Sequence, residues 1–418
     1  MIPLHSALFC ILLVTQVVRL RARLSESFIY FALGIGIGNA GPIDIPFDDK
    51  IPLILFFASL AIHHRILRVQ QYIFGASTIT FAIVSFLGSD YIIDIDNYLS
   101  LLSFVLVFSV AISSYSNEEV IYFKKVITIL PITSVIFGAI SSVVGNHNFA
   151  GIDSFGNFRL HGGSIAAYLS AICLAALIIG AEQSSKRITL RTSLLMVANC
   201  AILVLSGGRM PMLCLGVVVI LALLFKVISG MNFRNFSNFT LASSLVAAAV
   251  LALLGLGSSR VTALDGDNFL SGREILWDYL LLVNKSAGLF GNGFGEATKI
   301  LRFATLAPGT VAPHNEFIRF YFDIGILSIP LLMLFVIMPF NTRSADNASF
   351  PAWKLGCKIG LLVYALTDNV FTMPVSPLLT ILLVTLDTIP SSKVLRSARP
   401  AYTNSPLHPR KFGKISGD

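Results

Sequence analysis

Pro313-His314-Asn315-Glu316 stands immediately before the apolar run 317–340 and closes a polar stretch that begins at Ser258. The rest of the chain, up to about residue 390, reads as one apolar run after another. That contrast decides the fold, because a long polar loop between membrane spans is seldom kept unless it touches something. Segment 258–316 is therefore where function has to be sought.

Working outward, the 418 residues are 55% hydrophobic and 12% charged, with a mean hydropathy of +0.80. These values lie far from the soluble average. Apolar runs fall near 2–18, 25–40, 51–64, 72–88, 98–115, 126–144, 164–181, 192–206, 210–229, 239–257, 317–340, 355–369 and 374–390. A membrane helix needs ~17–25 such residues, so the expected fold is an all-α polytopic membrane protein of about 12–13 transmembrane helices. One large external loop, 258–316, contains short helices. The membrane domain is expected over 1–390. The basic tail 391–418, with its Pro and Ser content and no apolar period, is expected to be unstructured or to hold anionic lipid. Run 2–18 is expected to be a retained span: Arg19, Arg21 and Arg23 follow it, no basic region precedes it, and no small-residue cleavage site stands out.

Charge assigns the sides. Alternate connections collect Arg19, Arg21, Arg23, Arg65, Arg68, Lys124, Lys125, Lys186, Arg187, Arg191, Lys226, Arg234, Arg343, Lys354 and Lys358, with six more in the tail, which is 21 of the 30 basic residues. The other short loops hold Asp44, Asp48, Asp49, Asp90, Asp94, Asp96 and Asp153. Basic loops remain cytoplasmic, so the C-terminus is expected inside and the 258–316 loop outside. The pI near 9.3 is then a topology signal and not a nucleic-acid footprint. Cys10, Cys173, Cys200, Cys214 and Cys357 all sit in apolar runs without metal-ligand spacing.

Polar groups converge on the outer side. After the sixth run comes Asn157-Phe158-Arg159-Leu160-His161-Gly162-Gly163, and between the eighth and ninth comes Ser206-Gly207-Gly208-Arg209-Met210-Pro211. Arg209 reads either as a functional group at the membrane surface or as a snorkelling helix-end arginine. Within the long loop, Ser271-Gly272-Arg273-Glu274 fits a capping box. Behind it Ile275, Leu276, Tyr279, Leu280 and Val283 form an apolar face, with Trp277 and Asp278 off it, so this helix is expected to lie along the interface. Arg273 in its first turn is a phosphate-binding candidate or an ordinary structural arginine near Glu274 or Asp278. Gly288 to Gly295 resembles a phosphate cradle only superficially and reads as a flexible turn. His314 at a helix N-terminus is expected neutral and able to accept a proton. Asn315, Arg319 and Asp323 form a polar stripe in which Arg319 and Asp323 can neutralise each other. Asp94/Asp96 and Asp265/Asp267 have the spacing of metal-binding carboxylate pairs, but no further oxygen ligands cluster near them, and no metal or other cofactor is expected.

In this order and placement, these segments resemble the O-antigen ligase and Wzy-type polymerase superfamily of membrane glycosyltransferases, with a GT-C-like helical body. The resemblance covers roughly residues 150–340. It rests on Phe158–Gly163, Leu205–Arg209, Ser271–Glu274 with Trp277, Gly291–Gly295, and His314-Asn315 running to Gly325-Ile326-Leu327. The Ser-Arg turn carries an extra glycine and a proline, and thirteen spans differ from the ligases' usual twelve. The resemblance implies a glycan donor carried on undecaprenyl pyrophosphate at the periplasmic face of the bacterial inner membrane. The acceptor would be a second lipid-linked glycan, for a polymerase of O-antigen or exopolysaccharide, or lipid A-core, for a lipopolysaccharide ligase. His314 would be the general base, Arg209 and Arg273 would stabilise the leaving pyrophosphate, and Arg159, His161, Asn315 and Glu316 would bind substrate. Transfer would invert the anomeric centre without metal or nucleotide. The reading from a different class is a transporter or flippase of polar or lipid-linked solutes. It predicts ion-coupling residues in paired discontinuous helices, whereas the polar groups here gather at the outer edge and no internal repeat is evident.

Overall fold

The computed structural model describes residues 24–38, 53, 56, 60, 103–104, 106–110, 113, 115–144, 147–152, 158–228, 273–284, 291–304, 313–329, 352–366 and 368–387. The aspartate pairs Asp94/Asp96 and Asp265/Asp267, the cap residues Ser271 and Gly272, and the tail lie outside them. The described chain is mostly helical. Its elements are α1 (Leu24–Ile37), α2 (Asn117–Val143), β1 (Ala150–Ile152), β2 (Phe158–Leu160), α3 (Ala166–Lys186), α4 (Leu190–Leu205) and α5 (Arg209–Ile228). Then come α6 (Arg273–Val283), α7 (Glu296–Ala304), α8 (Glu316–Ile324), a 3-10 turn (Gly325–Leu327), α9 (Ala352–Ala365) and α10 (Ser376–Thr385).

Among the described residues, α2 and α3 are long and apolar enough to cross a membrane. At about 1.5 Å per residue α3 is roughly 30 Å long, the thickness of a hydrocarbon core. Run 126–144 proves to be the C-terminal two thirds of a longer helix. Ser116 starts α2 nine residues earlier by a capping box: its Oγ accepts from the Glu119 amide at 3.3 Å, and its own amide donates to Glu119 Oε2 at 2.7 Å. Two strands depart from the all-helical expectation. β1 and β2 pair antiparallel, with Gly151 opposite Arg159, so the segment read as a loop carries its arginine on a short hairpin.

Helix α3 sits at the centre, flanked by α2, α4 and α5, while α9 packs along α5 and α1 along α2. Glycine sets the closest approaches. A Cβ on Gly356 would meet the Val218 carbonyl at 3.0 Å, and one on Gly360 would meet Val218 Cγ2 at 2.4 Å. This small-xxx-small spacing lets α9 lie against α5. At Gly138 of α2 a Cβ would overlap the Gly162 carbonyl, so the His161-Gly162-Gly163 turn wedges against that helix. Ser134 Oγ donates to the Gly36 carbonyl and accepts from the Gly163 amide at 3.1 Å, which ties α1, α2 and the turn together.

Helices α3 and α9 each connect two chemically distinct ends. At one end Lys124 and Lys186 donate to the buried carboxylate of Glu182 at 2.6 and 2.7 Å. The Asp387 amide donates to Glu182 at 3.1 Å, and Asp387 in turn accepts from the Lys354 amide at 2.8 Å. The opposite end carries Arg159, His161, Arg209 and His314.

Candidate active site

His314 precedes α8 in a left-handed conformation, φ 49°, uncommon for a residue with a side chain. Asn315 caps the helix, its Oδ1 accepting from the Ile318 amide at 3.1 Å. His314 Nδ1 lies 3.3 Å from Asp368 Oδ1, which also accepts from the Asn369 amide at 2.9 Å. The two side chains keep 30% and 17% of their surface exposed, so the pair is held by the protein and still open at the surface.

Helix α6 docks beside this pair. Trp277 Nε1 donates to the Pro313 carbonyl at 2.7 Å, one residue before His314. Leu276 and Leu280 pack with Ala297 and Leu301 of α7 and Phe322 of α8. The apolar face of α6 is therefore covered by protein, and it differs from the expected one: Ile275 points outward and Trp277 inward. The expected capping box lies outside the described residues.

That docking brings Arg273 into electrostatic reach of Asp368, Tyr364, Arg159 and Arg209. Burial holds its guanidinium below the usual arginine range. Asp368 opposes the shift, while Arg159 and Arg209 add to it. Arg159 comes from β2, Arg209 from the exposed start of α5, and Arg273 from the start of α6. Gly207, at φ 72°, turns the chain before Arg209, and a Cβ on Gly208 would approach Ser170 Cβ to 2.5 Å, so this turn is seated on α3. Like charges gathered in this way repel one another until an anion enters. His161 stays with the hairpin, its Nδ1 3.2 Å from the Asn148 carbonyl.

Glu316 is fully buried in the first turn of α8, with the Thr372 hydroxyl as its nearest polar neighbour. Burial pushes its carboxyl up to about 7, against the pull of Arg319 and the nearby Thr372 hydroxyl. Arg319 is also buried; Nη1 donates to Thr372 Oγ1, and Nε lies 3.6 Å from Asp323 Oδ2. Asp323 accepts from the Gly295 and Ala297 amides at 2.9 and 2.8 Å and so caps α7 from a distance. The Gly291–Gly295 segment is pinned and not loose: the Asn292 and Gly293 amides donate to the Phe322 and Asp323 carbonyls at 2.9 and 2.8 Å. Its amides serve α8, so it is no phosphate cradle.

Asp368, Tyr364 and Thr372 are the site neighbours that sequence reading passed over. A carboxylate inside the run 355–369 was the available signal, because charge within an apolar segment is costly and marks a function or a partner. Among the described residues no cluster of His, Cys, Asp and Glu could hold a metal ion. No family model matches the chain, and no curated protein matches it either.

Proposed function

We propose that this protein is a polytopic glycosyltransferase of the bacterial inner membrane. It joins an undecaprenyl-pyrophosphate-linked glycan to a sugar hydroxyl at the periplasmic face, as a polymerase or ligase of surface polysaccharide. The observation that carries this reading is the His314–Asp368 pair, with Arg273 within electrostatic reach of Asp368, Arg159 and Arg209. It joins an anion site to a proton acceptor at the end of the helices opposite the lysines, where positive-inside charge places the periplasm.

The chemistry follows from those groups. Pyrophosphate is a good leaving group whose departure requires stabilisation of charge more than protonation, and arginine forks supply it. His314, its Nδ1 turned to Asp368, offers Nε2 to the acceptor hydroxyl. As Nε2 takes the proton, the hydroxyl oxygen forms a bond to the anomeric carbon from the face opposite the phosphate. The bond from that carbon to the phosphate oxygen breaks, and the anomeric centre inverts.

Analysis of the glycan in a deletion strain tests the reading and divides it. Single-repeat units on the lipid carrier identify a polymerase, and long chains left on the carrier identify a ligase. Unchanged surface polysaccharide, with no accumulated carrier-bound glycan, overturns the proposal. Transfer is expected to persist in EDTA.

A further inference from the structure

Helix α4 packs inward through Met196, Asn199 and Leu203, where Asn199 Nδ2 donates to the Thr128 carbonyl of α2 at 3.1 Å. Its opposite side is an uncovered apolar row: Leu190, Leu194, Val197 and Leu205 are 47–78% exposed and align along one face. The row is roughly 22 Å long, most of the depth of a hydrocarbon core. Thr189 starts the helix, its Oγ1 accepting from the Thr192 amide at 3.2 Å. Two exposed arginines flank that start, Arg187 at the end of α3 and Arg191 in the first turn of α4. The carboxylates of this end are engaged elsewhere. Glu182 holds Lys124 and Lys186, Glu119 closes the Ser116 cap, and Asp387 accepts from the Lys354 amide. Glu118 is exposed on α2, and among the described residues neither arginine pairs with it or with another carboxylate. An apolar row thus ends in two uncompensated positive charges, and its complement is a molecule with an apolar chain and an anionic head.

We propose that this face of α4 binds an anionic phospholipid of the cytoplasmic leaflet. Arg187 and Arg191 hold its phosphate, and an acyl chain lies along Leu190, Leu194 and Val197. Guanidinium forks match phosphate oxygens, and a negatively charged leaflet supplies such headgroups on the side where the basic segments collect. The inference rests on the membrane-spanning reading of the chain and is independent of glycosyl transfer.

The test reconstitutes the full-length protein into phosphatidylcholine vesicles carrying a trace of spin-labelled phosphatidylglycerol or spin-labelled phosphatidylcholine. Electron paramagnetic resonance reads the immobilised fraction of each label. Wild type should immobilise phosphatidylglycerol in preference. In R187Q/R191Q that preference should fall by roughly 2-fold or more, since the one site is averaged over the whole lipid shell. K411Q/K414Q removes the same charge from the tail and should keep it. A preference that survives R187Q/R191Q, falls equally in K411Q/K414Q or is absent from wild type overturns the proposal. If R187Q/R191Q does not fold, phenylglyoxal labelling of wild type decides. Phosphatidylglycerol in the vesicles should protect Arg187 and Arg191, and no protection overturns the proposal. Protection by inorganic phosphate in pure phosphatidylcholine would mark a site for a free anion, and protection whatever the lipid would mark a second copy on this face; either also overturns it. A chain that alkaline carbonate strips from the vesicles removes the membrane-spanning reading as well, whereas a retained chain without lipid preference removes this proposal alone.

Discussion

His314 Nδ1 and Asp368 Oδ1 meet at 3.3 Å across 54 residues of sequence, joining the start of α8 to the segment that follows α9. Because Asp368 occupies Nδ1, Nε2 is the nitrogen left to accept a proton, and the ring is oriented before a substrate arrives.

His314→Ala should lower transfer from a lipid-linked donor by about 10²–10⁴-fold, the usual worth of a general base. D368N should fall between that variant and wild type. Initial rates across pH check both, and full activity in inserted His314→Ala would remove the base.

Arg209→Lys and Arg273→Lys keep the charge and lose the fork. Each should cost roughly 10-fold or more in kcat/KM, because an ammonium cannot hold phosphate in a bidentate manner. Phenylglyoxal modification offers a second measurement: inorganic pyrophosphate should protect Arg209 and Arg273. Normal activity in Arg209→Lys would return that residue to a snorkelling role.

Asp323 supports the loop helices rather than the chemistry. Its removal in D323A uncaps α7 and strips Arg319 of a buried partner, a change worth about 3–5 kcal/mol when such pairs are broken. A large drop in Tm is the expected result. G291A should be worse tolerated, since its Cβ would lie 2.5 Å from the Gly325 amide nitrogen at a φ of 71°.

E182Q addresses the opposite end. Lys124, 8% exposed, would lose its carboxylate, at a cost of about 3–5 kcal/mol. Turnover per folded molecule should be unchanged, because Glu182 lies four residues from the C-terminal end of α3 while the hairpin arginine precedes its start. Thermal unfolding and transfer assays on the same preparation separate the two effects.

Glu316 gives stability a pH dependence of known sign. Its carboxyl titrates near 7 when folded and near ~4.3 when unfolded. The folded state then binds the extra proton, so this contribution is fully present below about 4.3 and is lost as pH rises through 7. Wild-type Tm should decline over that window relative to E316Q; parallel curves would show that Glu316 does not titrate there.

Much of the helical framework was legible in the chain. The runs at 164–181, 192–206 and 210–229 correspond to α3, α4 and α5, because apolar content along a continuous segment is a local property. Boundaries were read less well where capping governs them, as at Ser116, and the hairpin around Arg159 was missed because three-residue strands carry almost no period. The pairing of Arg319 with Asp323 was legible from their spacing on one helix, but the hold of Asp323 on the Gly295 and Ala297 amides was not.

By itself the sequence marked the apolar segments that became α3, α4 and α5, where basic residues concentrate, and which arginines and histidine stand in polar breaks. Those properties depend on residues within a few turns of one another. The tertiary structure alone decided that Asp368 orients His314, that Arg159, Arg209 and Arg273 share one field, and that Glu316 is fully enclosed. Each of these depends on how closely helices approach, which Gly356 and Gly360 set against α5 and Trp277 sets against Pro313. Hydropathy carries no record of such distances.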